Sequence, residues 1–319
     1  MTLSTFYFLV QQTMFYSIPL LIVAIGGMYS ERSGVVNIAL EGIMIIGAFV
    51  SIFFMNQMQS TMSGQWLLVL AMLIAAGTGM ILSFFHAYAS INMKANQVIS
   101  GTALNLFAPA FAIFTARMLI GVQQVTFMNT YRITEVPVLS AIPILGDLLF
   151  KNTYLTTFVG FAILIVATIV LYKTRFGLRL RACGEHPQAA DAAGVSVKKM
   201  RYIGVLISGA LAGLGGLVLM VPVTTAFDGQ VAGYGFLALA VLIFGQWRPG
   251  RILFAAFFFG LMKTISAAYT GIPILLALGI PSYMFKMTPY LATIVILTFT
   301  SKKSAAPKAA GEPYDAGKR

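Results

Sequence analysis

Long apolar runs alternate with short polar interruptions along the whole chain, and the runs recur at about 20 residues, the length of a membrane-crossing helix. This pattern predicts spans over 6–28, 33–49, 66–90, 97–119, 154–172, 202–221, 236–247, 252–270 and 290–300. The second has an interrupted beginning, because Ser33–Phe49 is apolar apart from Asn37 and Glu41 and carries Gly34, Gly42 and Gly47. Spans 236–247 and 290–300 are short. Segment 121–153 contains Pro137, Pro143, Gly146 and Asp147, which break any helix, and its apolar residues place it on the membrane surface. Section 271–289, broken by Pro273, Pro281 and Pro289, is expected outside the membrane or dipping into it. The period-two alternation of an outer-membrane barrel is not visible. The fold expected is all-α and polytopic, with about nine transmembrane helices and broken or re-entrant segments, in one membrane domain over 1–301.

The main polar interruption, Lys173–Arg201, fixes the topology. It holds Lys173, Arg175, Arg179, Arg181, Lys198, Lys199 and Arg201 against Glu185 and Asp191, and basic loops stay in the cytoplasm. Counting outward puts the N-terminus outside and the C-terminus inside, with 302–319 a disordered basic cytoplasmic tail. Within the loop, Pro187 to Gly194 predicts a short helix, with Pro in its first turn and Gly194 as its stop. A small-residue helix projecting from a membrane domain has the character of a docking surface.

Composition narrows the class. With 59% hydrophobic and 9% charged residues, the chain has too little charge to cover a soluble surface. The net charge of +12 sits in short loops and the tail, where it is topogenic rather than a nucleic-acid footprint. The single cysteine, Cys183, excludes an intrachain disulfide and reads as a small buried thiol. The first apolar run lacks a basic n-region and a small-residue cleavage site, so no removable signal peptide is expected. No G-x-x-x-x-G-K-[ST] stretch occurs, so the sequence shows no phosphate cradle of its own; if ATP drives it, the ATPase is another subunit. His86 and His186 have no Cys or acid cluster at metal spacing, and no Ser-His-Asp arrangement points to an enzyme.

Ionisable and amide groups inside the membrane are costly, so they face a cavity or a partner. Asn37 and Glu41 lie one helical turn apart on one face; Asn105 and Asp228 invite the same choice. Two readings stay open for these four: groups along a substrate path, or structural bonds between helices. Gln97 reads as a helix cap or headgroup contact, Lys263 as an inward-facing cation at mid-depth, and Phe257–Phe259 as lipid-facing surface. The stretches Ile38–Gly47 and Leu237–Gly245 share a pattern of small and branched residues in spans of opposite direction, as an inverted repeat requires. Chance similarity between apolar segments explains the match equally well.

The stretch GLRLRACGEHPQAADAAGVSV, Gly177 to Val197, resembles the cytoplasmic loop of bacterial ABC importer permeases of the branched-chain amino acid and simple-sugar class. SGALAGLGG after it fits too, and SGVVNIALEGIMIIGAF, KANQVISGTALNLFAP and VPVLSAIPILGDLLF are similar to the nucleoside and simple-sugar branch, in its shorter permease. The resemblance implies a permease paired with a second, homologous permease, two ATPase domains carrying ATP and Mg, and an extracellular substrate-binding lipoprotein. It implies no cofactor on this chain. Gly184, Glu185, Pro187, Ala189, Ala190 and Gly194 would couple the loop to the ATPase. Nucleosides would be the cargo, with simple sugars such as ribose as the alternative, at the bacterial inner membrane. An ion-coupled carrier using Glu41, Asp228 or Lys263, and a passive channel, are the rivals from other classes.

Overall fold

A computed structural model describes residues 3–137, 139–143, 146–271, 279, 281–300 and 305–315. Apolar runs become helices because hydrocarbon offers no partner for a free backbone N–H or C=O. The helices are α1 (Leu3–Arg32), α2 (Leu40–Met58), α3 (Gln65–Ile91), α4 (Gln97–Ile120), α5 (Leu155–Lys173), α6 (Arg175–Glu185), α7 (Pro187–Ala192), α8 (Val197–Val223), α9 (Tyr234–Phe244) and α10 (Pro249–Ala268). A C-terminal helix, Ser282–Thr300, follows. Among the described residues seven helices (α1 to α5, α8 and α10) are long and apolar enough to cross a membrane, while α9 is a shorter apolar helix.

Helix α8 is the central post, packed against α1, α2 and α3. Its glycines let other backbones approach directly: a Cβ at Gly213 would meet the Ala75 carbonyl and Gly79, and one at Gly216 would meet the Met44 carbonyl. Small residues at such crossings replace the hydrophobic driving force that lipid does not supply. The packing also has the pattern of an inverted repeat. Helices α1 and α8 pack on each other, α3 lies on α8 as α10 lies on α1, and α2 lies on α8 as α9 lies on α1.

Two membrane elements start with non-helical chain, 33–39 before α2 and 224–233 before α9. The first was expected from the glycines and Asn37, and Gly34 takes φ 99° there. Other boundaries differ from the sequence pattern. Helix α2 runs on to Met58, and the C-terminal helix starts at Ser282 and carries Pro289 inside it. Proline is tolerated in membrane helices, where nearby groups satisfy the backbone it frees. The interval 271–289 is thus partly helical; 272–278 and 280, with Pro273, lie outside the described residues. Within segment 121–153, β1 (Val125–Thr126) pairs with β4 (Ala226–Phe227), and β2 (Arg132–Glu135) with β3 (Lys151–Tyr154), all antiparallel, while the helix-breaking residues leave only a 3-10 turn at Leu139–Ala141 and a π turn at Gly146–Phe150 among the described residues. These strands close the end of the bundle opposite the polar loop.

The expected disordered tail is also corrected, for 305–315. Ala309 N–H donates to the Gly184 carbonyl (2.8 Å), Gly311 N–H to the Gly34 carbonyl (3.2 Å), and Ala305 N–H to Gln246 Oε1 (2.8 Å). Arg201, 1% exposed, donates from Nη1 to the Glu312 carbonyl (2.8 Å). The segment is polar by composition, but a buried guanidinium and free backbone groups at the bundle end hold it.

Candidate functional site

The non-helical segment before α2 is held by side chains from α3, α4 and α8. Asn37 is fully buried; its amide donates to Ser208 Oγ of α8 (2.9 Å) and its oxygen accepts from Ala39 N–H (3.1 Å). Asn105 of α4 accepts from Gly42 N–H (2.7 Å) and donates to the Ile38 carbonyl (2.9 Å). Gln97, expected as a helix cap or headgroup contact, is instead buried and accepts from Val36 N–H (2.7 Å). His86 Nε2 lies 3.1 Å from the Val36 carbonyl and its Nδ1 3.0 Å from Ser100 Oγ. Unwound chain inside a membrane needs such substitutes for helical hydrogen bonds.

Glu41 joins the two broken elements. Its Oε1 accepts from Gly233 N–H (2.9 Å) and its Oε2 from Gly235 N–H (2.6 Å), so a carboxylate from the first turn of α2 caps the start of α9. An anion is favoured at a helix N-terminus, where N–H groups lack partners. Gly235 is required by the approach, since a Cβ there would strike the Glu41 backbone. Helix α9, of 11 residues, spans about 16 Å, roughly half the thickness of a bilayer core of about 30 Å. Lys263 of α10 lies near it, its Nζ 5.0 Å from the Tyr234 ring centroid and 5.6 Å from that of Tyr290, an inward cation held by aromatic faces.

Asn37, Glu41 and Asn105 therefore gather around residues 36–42, each already bonded within the protein, while Asp228 lies apart, exposed beside the β1–β4 pair. For the first three, the geometry is that of structural bonds between elements.

At the polar-loop end, Thr174 caps α6 by accepting from Gly177 N–H (3.1 Å). Pro187 opens α7, and Gly194, at φ 76°, ends the turn that follows it, as the residue types predicted. Ala190 is buried with Cys183, Val197 and Met200, whereas Ala189 and Gly194 are exposed. Burial pushes the Cys183 thiol up to about 11, so it is inert as a nucleophile near neutral pH. Leu178, Ala182, Ala189, Ala190, Ala193 and Val195 line a mostly apolar groove of about 350 Å³ between α6 and α7. Gly184 packs on the Arg32 carbonyl, and Glu185 forms an ion pair with Arg32 (3.3 Å).

The sequence reading missed Arg32 and Trp247. Arg32 Nη2 also donates to the Trp247 carbonyl (3.1 Å), and the Trp247 indole N–H donates to Glu31 Oε2 (2.6 Å). The only sequence signal was an acid–base pair, Glu31–Arg32, at the end of a span; its partners are far away in the chain. Among the described residues no group of three or more His, Cys, Asp or Glu side chains is placed to hold a metal ion.

Residues 9–297 match the family model described as branched-chain amino acid transport system / permease component. The chain is 42% identical to the guanosine ABC transporter permease protein NupQ of Bacillus subtilis (strain 168), over 98% of this chain and 97% of that protein. It is 40% identical to the nucleoside ABC transporter permease protein NupC of Lactococcus lactis subsp. cremoris (strain MG1363), over 98% of each. It is 32% identical to the putative glucose ABC transporter permease protein TsgC13 of Haloferax volcanii, over 93% of this chain and 94% of that protein. No solved structure gives a significant match.

Proposed function

Because the chain belongs to the branched-chain amino acid transport system / permease component family, it is the multi-pass membrane permease of an ABC importer, and we propose that it carries nucleosides. The observation that carries this cargo is the 42% and 40% identity, over nearly the full chain, to permeases named for guanosine and nucleosides. The likeness to a putative glucose permease, at 32%, supports simple sugars as the second reading.

The chain is not itself an enzyme; ATP and Mg are taken by a separate ATPase subunit. Helix α7 is the segment that enters the ATPase. Its exposed Ala189 and the stop at Gly194 permit close approach, buried Ala190 anchors α7 against Cys183, Val197 and Met200, and the groove beside them is apolar. Gly184, Glu185 and Pro187 set the angle at which α7 leaves α6. The polar-loop end, with the docked tail, faces the cytoplasm, because it concentrates Lys and Arg. A second, homologous permease and an extracellular binding lipoprotein complete the assembly. The substrate path then uses Glu41, Asn37 and Asn105 as the frame of the α2–α9 junction, and Asp228 lies near its outer mouth.

Uptake of labelled guanosine, other nucleosides and ribose in cells with this chain deleted and then restored tests the assignment. Nucleoside uptake should vanish on deletion, return on restoration, and stop when cellular ATP is depleted. Loss of ribose uptake alone would move the cargo to sugars, and uptake that survives ATP depletion but not an ionophore would replace the ABC reading with an ion-coupled carrier.

A further inference from the structure

Helix α9 is pinned at both ends by side chains from the α1–α2 region, and each pin sits beside left-handed backbone. At the inner end, Ala232 and Gly233 take φ 51° and 76° beside the Glu41 clamp. At the loop end, Gln246 and Trp247 take φ 50° and 52°. Non-glycine residues seldom adopt this conformation, and it persists where surroundings over-determine it. At the loop end the surroundings are specific: Glu31 holds the buried Trp247 indole, and Arg32 holds the Trp247 carbonyl.

The same Arg32 guanidinium reaches Glu185, the last residue of α6, with only His186 between it and α7. One nitrogen binds each partner, so one planar fork ties the root of α7 to the end of α9. Between its two ends α9 is an uninterrupted apolar helix, which moves as a rod more easily than it bends.

We propose that Arg32 is a positioning residue that transmits displacement of α7 to α9, so that α9 acts as a lever whose far end opens and closes the Glu41 junction. The inference rests on the assignment of α7 as the ATPase contact. When the bound ATPase moves α7, Glu185 draws Arg32, Arg32 draws the Trp247 carbonyl, and the left-handed pairs at 232–233 and 246–247 absorb the rotation. The backbone N–H groups of Gly233 and Gly235 then shift against Glu41 at the far end of α9.

The test uses the assembled transporter in proteoliposomes and reads nucleoside transported per ATP hydrolysed. Arg32→Gln keeps a neutral amide donor but is two bonds shorter and loses the charged fork, and Trp247→Phe keeps an aromatic ring while losing the indole N–H and its bond to Glu31. Both are expected to copurify with the ATPase and hydrolyse ATP while cargo per ATP falls about tenfold, the order set by loss of a charged hydrogen bond. Arg32→Lys, which reaches one partner at a time, should recover part of the loss. Because Arg32 and Glu185 act in series, uptake by the Arg32→Gln/Glu185→Gln double variant should be no lower than by Arg32→Gln alone. Unchanged cargo per ATP in Arg32→Gln, additive losses in the double variant, or loss of the ATPase from Arg32→Gln would each overturn the lever. Gly194→Trp tests the underlying reading separately: an ATPase that stays bound and coupled in that variant would remove α7 as its contact, whatever Arg32 does.

Discussion

Glu41 accepts two backbone N–H bonds, from Gly233 and Gly235, with its two carboxylate oxygens. Glutamine at 41 has one oxygen, and its NH2 group would face an N–H donor. The Glu41→Gln variant should therefore lose about 1–3 kcal/mol, the cost of a buried donor left without its acceptor. A lowered melting temperature with reduced uptake is the expected result for the purified and reconstituted protein; wild-type values for both would remove Glu41 from the junction's frame. Asn105 performs a related task with neutral chemistry, since its amide both donates and accepts and so matches the free carbonyl of Ile38 and the free N–H of Gly42.

At the scale of elements, α8 acts through what it lacks. Gly213 sits with no room for a side chain between itself, the Ala75 carbonyl and Gly79, so that α3 and α8 meet backbone to backbone. A Gly213→Val variant must push these helices apart, at a cost of about 1–3 kcal/mol or more. It should show a reduced yield of folded protein in detergent and a lower melting temperature; a variant as stable as wild type would mean the crossing is looser than described. Helix α9 differs in kind, since it is short, apolar and anchored by polar bonds at its two ends, which suits an element that moves as a unit.

For the whole molecule, the docked tail links parts that are distant in sequence: Gly34 before α2, Gly184 in α6, Arg201 at the start of α8 and Gln246 after α9. Lys94 adds an ion pair to Asp315 at 3.1 Å, on the exposed surface where such pairs contribute little. Removing 305–319 would strip Arg201 of its carbonyl partner and leave a buried guanidinium exposed to one side only. The truncated protein should melt a few degrees lower, and trypsin should cut the Lys173–Arg201 loop faster than in the full chain. Equal cleavage rates would mean the tail does not brace the loop.

The amino-acid sequence by itself determined the membrane class, the main spans and the α7 turn, because these follow from local properties: apolar length, the placement of Lys and Arg, and a Pro and a Gly at the ends of one short helix. It also placed Asn37 and Glu41 at an interrupted span. It left their role open, because whether a buried amide or carboxylate is free for a ligand or already bonded depends on groups far along the chain. Gly233 lies 192 residues from Glu41, and Trp247 lies 215 residues from Arg32. Only the tertiary structure decided that α2 and α9 meet at their N-termini, that Arg32 bridges the polar loop to α9, and that a polar tail docks. Each rests on a backbone group left unpaired by a break or an end of a helix, and the partner for such a group is chosen by three-dimensional proximity, which hydropathy does not encode.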